Sequence, residues 1–171
     1  MTIMHPMRRK DRQITDLAAI RALLQSEDVL HLALCADGKP YVVPMSYGFT
    51  LRDDGRLTLH LHCAREGRKL DILRKNPAVC FEISCKVRLA YDEATGSCTA
   101  RYRSLIGSGT VVMEEETADK LASLHALMRQ AGHENYPLFD EALLARTLTL
   151  RIETEEYAAK SNLSPDEEEN A

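Results

Sequence analysis

His60–Lys69, with the sequence HLHCAREGRK, passes from a predicted strand into a predicted helix. Two imidazoles and a thiol lie near the end of the strand, and Gly67 precedes Arg68 and Lys69 where the helix begins. The first N–H groups of a helix have no intrahelical partner and lie at the positive end of the helix dipole. Two basic side chains there predict a cradle for a phosphate group, with a solvated helix face as the alternative.

The strand that leads into this turn carries three side chains of chemical interest. His60 and His62 are two residues apart, so they face the same side of a strand. They are either metal ligands or hydrogen-bonded imidazoles without a ligand, and no third metal ligand is evident in the neighbouring strands. His62 alone lies nearest the predicted anion site, which favours a ligand contact there. Cys63 is expected to be a small residue that lines a pocket.

The remaining elements extend outward from this stretch as hairpin-linked strands with a few helices. Asp37-Gly38 is a strong hairpin turn, and Pro77 ends the helix that follows Gly67. Pro44 cannot donate to a ladder, so its strand is expected to have an edge, a bulge or irregular pairing there. The sequence predicts helices over 16–26, 67–75 and 114–130 and near Leu143, a loop over 86–98, and strands over 29–35, 41–49, 56–62, 78–83, 102–113 and 147–153.

The order of these elements indicates the fold class. Strands and helices do not alternate as in βαβ units, so a doubly wound parallel sheet is not expected. A mainly β protein fits best, with a closed or partly closed antiparallel barrel and peripheral helices.

Composition places the chain among soluble globular proteins. It has 171 residues, of which 44% are apolar and 28% charged, and a net charge of −4. Phosphate-backbone binding needs a basic surface, so a nucleic-acid partner is not expected, and the basic run 7–12 is predicted to be a solvated arm. One domain is predicted over 1–163, followed by a disordered acidic tail over 164–171.

Targeting signals and cysteine usage point to one compartment. No apolar stretch approaches the ~18 residues of a membrane span, and no apolar segment follows the basic N-terminal residues as in a signal peptide. The five cysteines are odd in number and lack CxxC spacing. We therefore expect free thiols, a cytoplasmic protein and no membrane partner.

Two further segments allow both a ligand and a purely structural interpretation. Pro44–Tyr47 suits the edge of a planar aromatic ligand, or is a plain edge strand with a buried methionine. Tyr102–Gly109 combines a hydroxyl, a guanidinium and two glycines, which favours close approach of a ligand or merely a bent barrel strand. GxGxxG, GxxxxGK[ST] and GxSxG are absent, so Rossmann, Walker and serine-hydrolase sites have no support.

Together these segments resemble the FMN-binding split-barrel superfamily that includes the pyridoxamine 5′-phosphate oxidases. The nearest branch contains 5-nitroimidazole reductases and related flavin-nucleotide-binding proteins. Four motifs keep the family order across residues 7–162. They are MRRKDR at 7–12, DGKPYVVP at 37–44, HCAREGRK at 62–69 with NPAVCF at 76–81, and YRSLIGSG at 102–109.

The resemblance implies a six-stranded antiparallel split β-barrel and a homodimer with FMN at its interface. It implies that Arg68 and Lys69 hold the FMN phosphate, and that His62 and Cys63 lie beside the phosphate and the ribityl chain. Ser104 matches a polar flavin contact. The residues implied to run along the isoalloxazine ring are Val43, Pro44, Met45, Ser46 and Tyr47.

The resemblance also implies an activity: an FMN-dependent oxidoreductase acting on a small molecule, with nitroimidazole-type nitro reduction as its most specific version. His62 matches the histidine kept near the substrate and is the candidate catalytic residue. The alternative is a non-catalytic flavin- or haem-binding protein for storage, sensing or haem handling, with His60 or His62 as axial ligand. A regulatory interaction module using the basic N-terminal arm is a third hypothesis.

Three departures from the family pattern limit the comparison. Cys63 stands where the family often has serine, and Ala158-Ala159-Lys160 where it often has Thr-Gly-Lys. The chain has no tryptophan, whereas true pyridoxamine phosphate oxidases use a C-terminal tryptophan and arginine on flavin and substrate. Pyridoxal phosphate synthesis is therefore not expected.

Overall fold

An antiparallel sheet closed on itself forms the framework of the protein. The computed structural model describes residues 7–136, 139–164 and 167–168. Its strands are β1 (Gln13–Ile14), β2 (Val29–Ala36), β3 (Lys39–Leu51), β4 (Leu57–Ala64), β5 (Ala78–Asp92), β6 (Ser97–Glu114) and β7 (Thr147–Ser161). Their order is β1-β7-β4-β3-β2-β5-β6, and β6 also pairs with β7, which closes β2–β7 into a six-stranded ring. The predicted mainly β, six-stranded split barrel is confirmed.

Four α-helices of the described chain lie around this ring: α1 (Leu17–Gln25), α2 (Arg68–Lys75), α3 (Thr117–Gln130) and α4 (Glu141–Arg146). The Asp16 side chain caps α1 by accepting from Ala19 N–H at 2.8 Å. After α2, Asn76 is extended with φ −146°, as expected for a residue before proline. The first predicted helix and the helix after Gly67 are thus confirmed, whereas α3 begins at Thr117 because Glu114 still belongs to β6.

Side chains that point into the ring form one apolar core. The Tyr47 side chain is part of it, and its hydroxyl donates to Leu24 O at 2.6 Å, which fixes α1 against the barrel. The side chains with no exposed surface include Leu30, Leu32, Leu59, Leu61, Leu150 and Ile152.

Helix α3 packs directly on the outer face of β3 and β4. At Gly48 the two backbones are so close that an added Cβ would lie 2.4 Å from both the carbonyl carbon and the oxygen of Ala126. Glycine therefore allows the helix to reach the sheet at this point.

The region predicted as a loop over 86–98 is a hairpin, so that prediction is wrong. β5 and β6 continue beyond the barrel as a two-stranded ribbon, paired from Arg88 opposite Arg101 to Asp92 opposite Ser97. A register shift lies between Cys85 and Arg88. The true turn is only the short segment between the two strands.

The barrel is open along the first half of β3. Residues 47–51 of β3 pair with β4, but residues 39–46 pair with β2 alone, and no other described strand covers their second edge. Tyr47 N–H points to the β2 side, where it donates to Asp28 O at 3.3 Å. Since N–H directions alternate, positions 40, 42, 44 and 46 face the open edge. The edge position predicted for Pro44 is confirmed, and Pro40 shares it.

Candidate functional site

The N-terminus of α2 lies beside this open edge and has no side-chain cap. Gly67 precedes the helix with φ 127°, a conformation that favours glycine, and an added Cβ there would meet no atom within 4 Å. The first helical hydrogen bond runs from Leu70 N–H to Gly67 O at 2.9 Å. The N–H groups that precede Leu70 are therefore left without an intrahelical acceptor.

The two basic side chains at this helix start point to different neighbours. The Arg68 guanidinium lies over the Tyr41 ring, with Cζ 4.6 Å from the ring centroid. Lys69 Nζ lies 3.8 Å from Met45 Sδ. Sequence reasoning did not assign Tyr41 a role, although it lies within the second motif of the resemblance.

No acidic side chain of the described residues neutralises Arg68 or Lys69. At the other end of α2, by contrast, Lys75 Nζ is paired with Asp37 at 2.8 Å. Positive charge at a helix N-terminus opposes the helix dipole, so such an arrangement is unfavourable by itself. A phosphate would reverse the sign of that interaction and fits the donors present.

His62 and Cys63 complete the group around Lys69. His62 is exposed on the outer face of β4, and burial of part of its ring together with the Lys69 charge lowers its pKa. Cys63 faces the core side, where burial raises the pKa of its thiol and the Lys69 charge opposes that rise. At neutral pH the site therefore holds a neutral imidazole and a protonated thiol.

His60 belongs to a different, buried network. Its Nδ1 lies 2.8 Å from Ser123 Oγ and its Nε2 lies 3.2 Å from Thr50 Oγ1. Ser123 in turn donates to Glu114 at 2.6 Å. Both ring nitrogens are thus used by the fold. Within the part of the chain that the structure describes, no three His, Cys, Asp or Glu residues are placed to hold a metal ion.

The five β3 residues assigned to the flavin ring alternate between the two faces of the strand. Pro44 and Ser46 are exposed on the outer face, whereas Met45 is buried and Val43 is half-buried on the core side. The Tyr47 side chain donates to Leu24 O and its backbone N–H donates to Asp28 O, so both of its donors are engaged within the chain.

Ser104 lies apart from this group. It is buried on β6, opposite Ser84 of β5 and Lys160 of β7, and β6 lies across the ring from β3. The structure therefore brings Met45, His62, Cys63 and Lys69 together and leaves Ser104 on the other side of the barrel.

Fold and site together define a split β-barrel protein with a cationic helix N-terminus beside an open strand edge. The family model described as pyridoxamine 5′-phosphate oxidase matches residues 16–161. The chain belongs to this family, which confirms the resemblance found in the sequence. A comparison with curated protein sequences found no match. None of the described helices is both long and apolar enough to span a bilayer.

Three solved structures show the same fold. A candidate 5-nitroimidazole antibiotic resistance protein from Bacteroides thetaiotaomicron is 26% identical, with a TM-score of 0.71 over 86% of this chain and 85% of that one. An FAD- and haem-binding protein from Mycobacterium smegmatis is 20% identical, with a TM-score of 0.75 over 93% and 79%. A flavocytochrome from Azotobacter vinelandii is 18% identical, with a TM-score of 0.70 over 94% and 74%.

Proposed function

We propose that this protein is an FMN-binding oxidoreductase that acts on a small molecule. The observation that carries the proposal is the pair of unneutralised cations, Arg68 and Lys69, at the uncapped N-terminus of α2. Charge in that position is stabilised by a bound phosphate and is otherwise unfavourable. Family membership supports a phosphorylated flavin as the source of that phosphate.

The chain's own residues divide the work of binding. Arg68 and Lys69 hold the phosphate, and Cys63 lies beside the ribityl chain. The open edge of β3 offers the N–H groups of Val42 and Ser46 to the rim of the flavin ring. Bound FMN supplies the hydride or electron transfer, while the protein positions it and limits access of water.

His62 is the candidate catalytic residue, on the substrate side of the flavin. Its lowered pKa keeps the imidazole neutral at neutral pH, so its N–H donates a hydrogen bond to a substrate oxygen without carrying a positive charge. Nitro-group reduction is the most specific form of the proposal. The likeness to the Bacteroides protein, named for 5-nitroimidazole resistance, supports it.

A homodimer completes the site in this proposal. Ser104 and Lys69 are assigned to one flavin by the family resemblance but lie on opposite sides of one barrel. A second copy resolves this conflict by bringing its own Ser104 to the flavin held by the first. The cytoplasm, a reducing compartment, suits the five free thiols of the proposed protein.

Flavin titration tests the phosphate cradle directly. We expect FMN to bind more tightly than riboflavin, which lacks the phosphate. Lys69→Met is expected to weaken FMN about 10- to 100-fold, since a hydrogen bond to a charged group contributes about 1.5–3 kcal/mol, and to leave riboflavin unchanged. Lys75→Met, on the same helix but paired with Asp37, is the matched control. Absence of flavin binding overturns the proposal, and equal affinity for FMN and riboflavin overturns the cradle.

Turnover tests the role of His62. FMN-loaded protein is reduced anaerobically and offered a series of acceptors that includes a 5-nitroimidazole. We expect His62→Gln to retain the flavin spectrum and to lose at least about 100-fold in rate, the lower limit for a positioned proton-transfer group. His31→Gln, an exposed histidine on β2 beside Glu82, is the control. Equal rates in all three proteins would remove His62 from the chemistry.

The non-catalytic alternative rests on the same histidine. Because both nitrogens of His60 are engaged by Thr50 and Ser123, His62 is the better axial haem ligand of the two histidine candidates. A Soret band on haem titration that disappears in His62→Ala, in protein that does not take up FMN, would favour haem binding over the flavin proposal.

A further inference from the structure

A second group of basic side chains lies where the β5–β6 hairpin leaves the barrel. We call Arg88, Arg101 and Arg103 the arginine cluster. Arg103 is only 7% exposed and is opposite Cys85 of β5 and Ser161 of β7. A guanidinium as buried as this requires a partner of opposite charge, because removing an unpaired charge from water is costly.

The C-terminal segment supplies that opposite charge. Glu168 accepts from Arg103 Nη2 and from the Ser161 hydroxyl. Glu167 contacts Arg88, and one of its oxygens lies 3.7 Å from Arg101 Nε. Two carboxylates from the end of the chain thus occupy the arginine cluster.

The contact with Arg103 uses only part of what the guanidinium offers. An arginine binds a carboxylate or a phosphate best through two parallel N–H groups. Glu168 takes Nη2 alone, because its other oxygen is bound by Ser161. Arg103 Nε is buried and has no acceptor among the described residues. The cluster is therefore built for an oxyanion that spans both nitrogens, and Glu168 fills it incompletely.

The segment that carries these glutamates is fixed at its base and exposed farther along. Asn162 N–H donates to Tyr102 O at 2.8 Å, and Arg101 donates to Asn162 O at 3.2 Å. Ser164 O accepts from the N–H groups of Glu167 and Glu168 at 3.0 and 2.9 Å. The Glu168 side chain is 38% exposed, whereas that of Arg103 is 8% exposed. Exchange of the carboxylate thus needs no movement of the barrel.

We propose that the arginine cluster is a binding site for the carboxylate or phosphate group of an anionic ligand, and that the C-terminal segment bearing Glu167 and Glu168 occupies it in competition with that ligand. The side chains of the arginine cluster lie on β5 and β6, whereas Arg68 and Lys69 lie on α2. The segment acts as a tethered competitor, whose effective concentration depends on the length and stiffness of its link to β7 and is taken to be of about millimolar order.

Calorimetric titration of the full chain with inorganic phosphate, and separately with citrate, tests this competition and distinguishes the two oxyanions. We expect Glu167→Gln/Glu168→Gln to bind one or both probes about tenfold more tightly than the unaltered protein, since the competitor is lost. Glu93→Gln/Glu155→Gln removes the same charge elsewhere and is expected to leave affinity unchanged. Equal gains in both double variants, or no gain in either, would overturn the proposal.

A substitution at Arg103 separates the effect of its charge from the effect of its hydrogen-bonding geometry. Arg103→Lys in the Glu167→Gln/Glu168→Gln background keeps the charge but lacks the two parallel donors. We expect it to lose the tenfold gain, and unchanged affinity would contradict the site. If this variant does not fold by circular dichroism, Arg88→Gln/Arg101→Gln, on more exposed side chains, takes its place with the same expected loss. The titration is repeated on Arg68→Met/Lys69→Met protein, so that phosphate bound at the N-terminus of α2 does not contribute to the measured affinity.

Hydrogen exchange provides a test on the unaltered protein. Saturating phosphate or citrate is expected to raise amide exchange in the C-terminal segment, because the ligand displaces Glu167 and Glu168 from the arginine cluster. The peptide covering β2 is the internal control. Exchange that stays the same while the probe binds would show that the segment and the anion do not compete.

Discussion

Gly48 is a residue at which an added side chain would destabilise the fold. A Cβ added at Gly48 would lie 2.4–2.5 Å from backbone atoms of Ala126 and Leu127. Backbone atoms cannot move aside as a flexible side chain can. We expect Gly48→Ala to lower the free energy of unfolding in urea by at least about 2 kcal/mol, because overpacking a close contact costs about 1–3 kcal/mol.

Gly96 provides the comparison for this substitution. It has φ 65° in the turn of the β5–β6 hairpin, and a Cβ there meets no atom within 4 Å. Gly96→Ala is expected to cost about 1 kcal/mol from backbone strain alone. A Gly48→Ala loss no larger than that of Gly96→Ala would show that α3 moves away from β3 at little cost.

His60 makes stability depend on pH. Burial lowers its pKa, with the Glu114 charge opposing the shift, so the folded protein binds this proton less readily than the unfolded chain. Its contribution is fully present above the ordinary histidine pKa of about 6.5 and is lost as pH falls below it. We expect the unfolding free energy to decrease there by up to about 1.4 kcal/mol per pH unit for this one proton.

The control for this dependence is His60→Gln, which keeps hydrogen-bonding capacity toward Ser123 but does not titrate. Its stability is expected to change less steeply between pH 7 and about pH 5, a window set by the histidine pKa. Urea unfolding at each pH gives both slopes. Parallel slopes would assign the pH dependence to other groups, of which His62, also with a lowered pKa, is the first to replace.

At the level of elements, the β5–β6 hairpin has two parts of different stability. Below Arg88 the strands belong to the closed ring, but beyond it they pair only with each other. A two-stranded ribbon without a covered face is marginal in water. We expect amides of the hairpin beyond Arg88 to exchange at least about 100-fold faster than those of β4, as measured by mass spectrometry. Comparable protection would mean that another surface covers the ribbon.

The hairpin also shows what local sequence can and cannot predict. Asp92, Glu93, Gly96 and Ser97 predict a loop over 86–98, although Val87, Leu89 and Tyr91 alternate as in a strand. These turn residues do lie at the tip of the hairpin, but the loop predicted from them extends too far into the two strands. By contrast, Asp37-Gly38 and Asn76-Pro77 each fixed a boundary, because one or two residues there determine the backbone conformation.

At the level of the whole molecule, contacts between strands that are distant in the chain could not be predicted from the sequence. The group of Lys69, His62 and Cys63 was predictable because β4 and α2 are adjacent in the chain. The distance of Ser104 from that group depends on the order of six strands around the ring. The engagement of His60 by Ser123 joins residues 63 positions apart and leaves no periodic pattern.

The proposed homodimer gives a prediction for the whole molecule. Native mass spectrometry is expected to give twice the 19.2 kDa of one chain with two FMN molecules bound. Arg68→Met/Lys69→Met is expected to lose the flavin and to retain the doubled mass, because those side chains bind phosphate rather than the other protomer. If the unaltered protein gives the mass of a single chain with one FMN bound, Ser104 of a second copy is not needed to bind the flavin.

The open edge of β3 also bears on whether copies of this protein aggregate. An unpaired strand edge is ordinarily a template on which another polypeptide can add and begin to aggregate. Of the positions facing that edge, Pro40 and Pro44 have no N–H to offer, so an incoming strand would find its ladder interrupted at every second donor. A flat aromatic molecule needs no such ladder. The barrel can thus stay permanently open to a small ring while remaining a poor starting point for fibril growth.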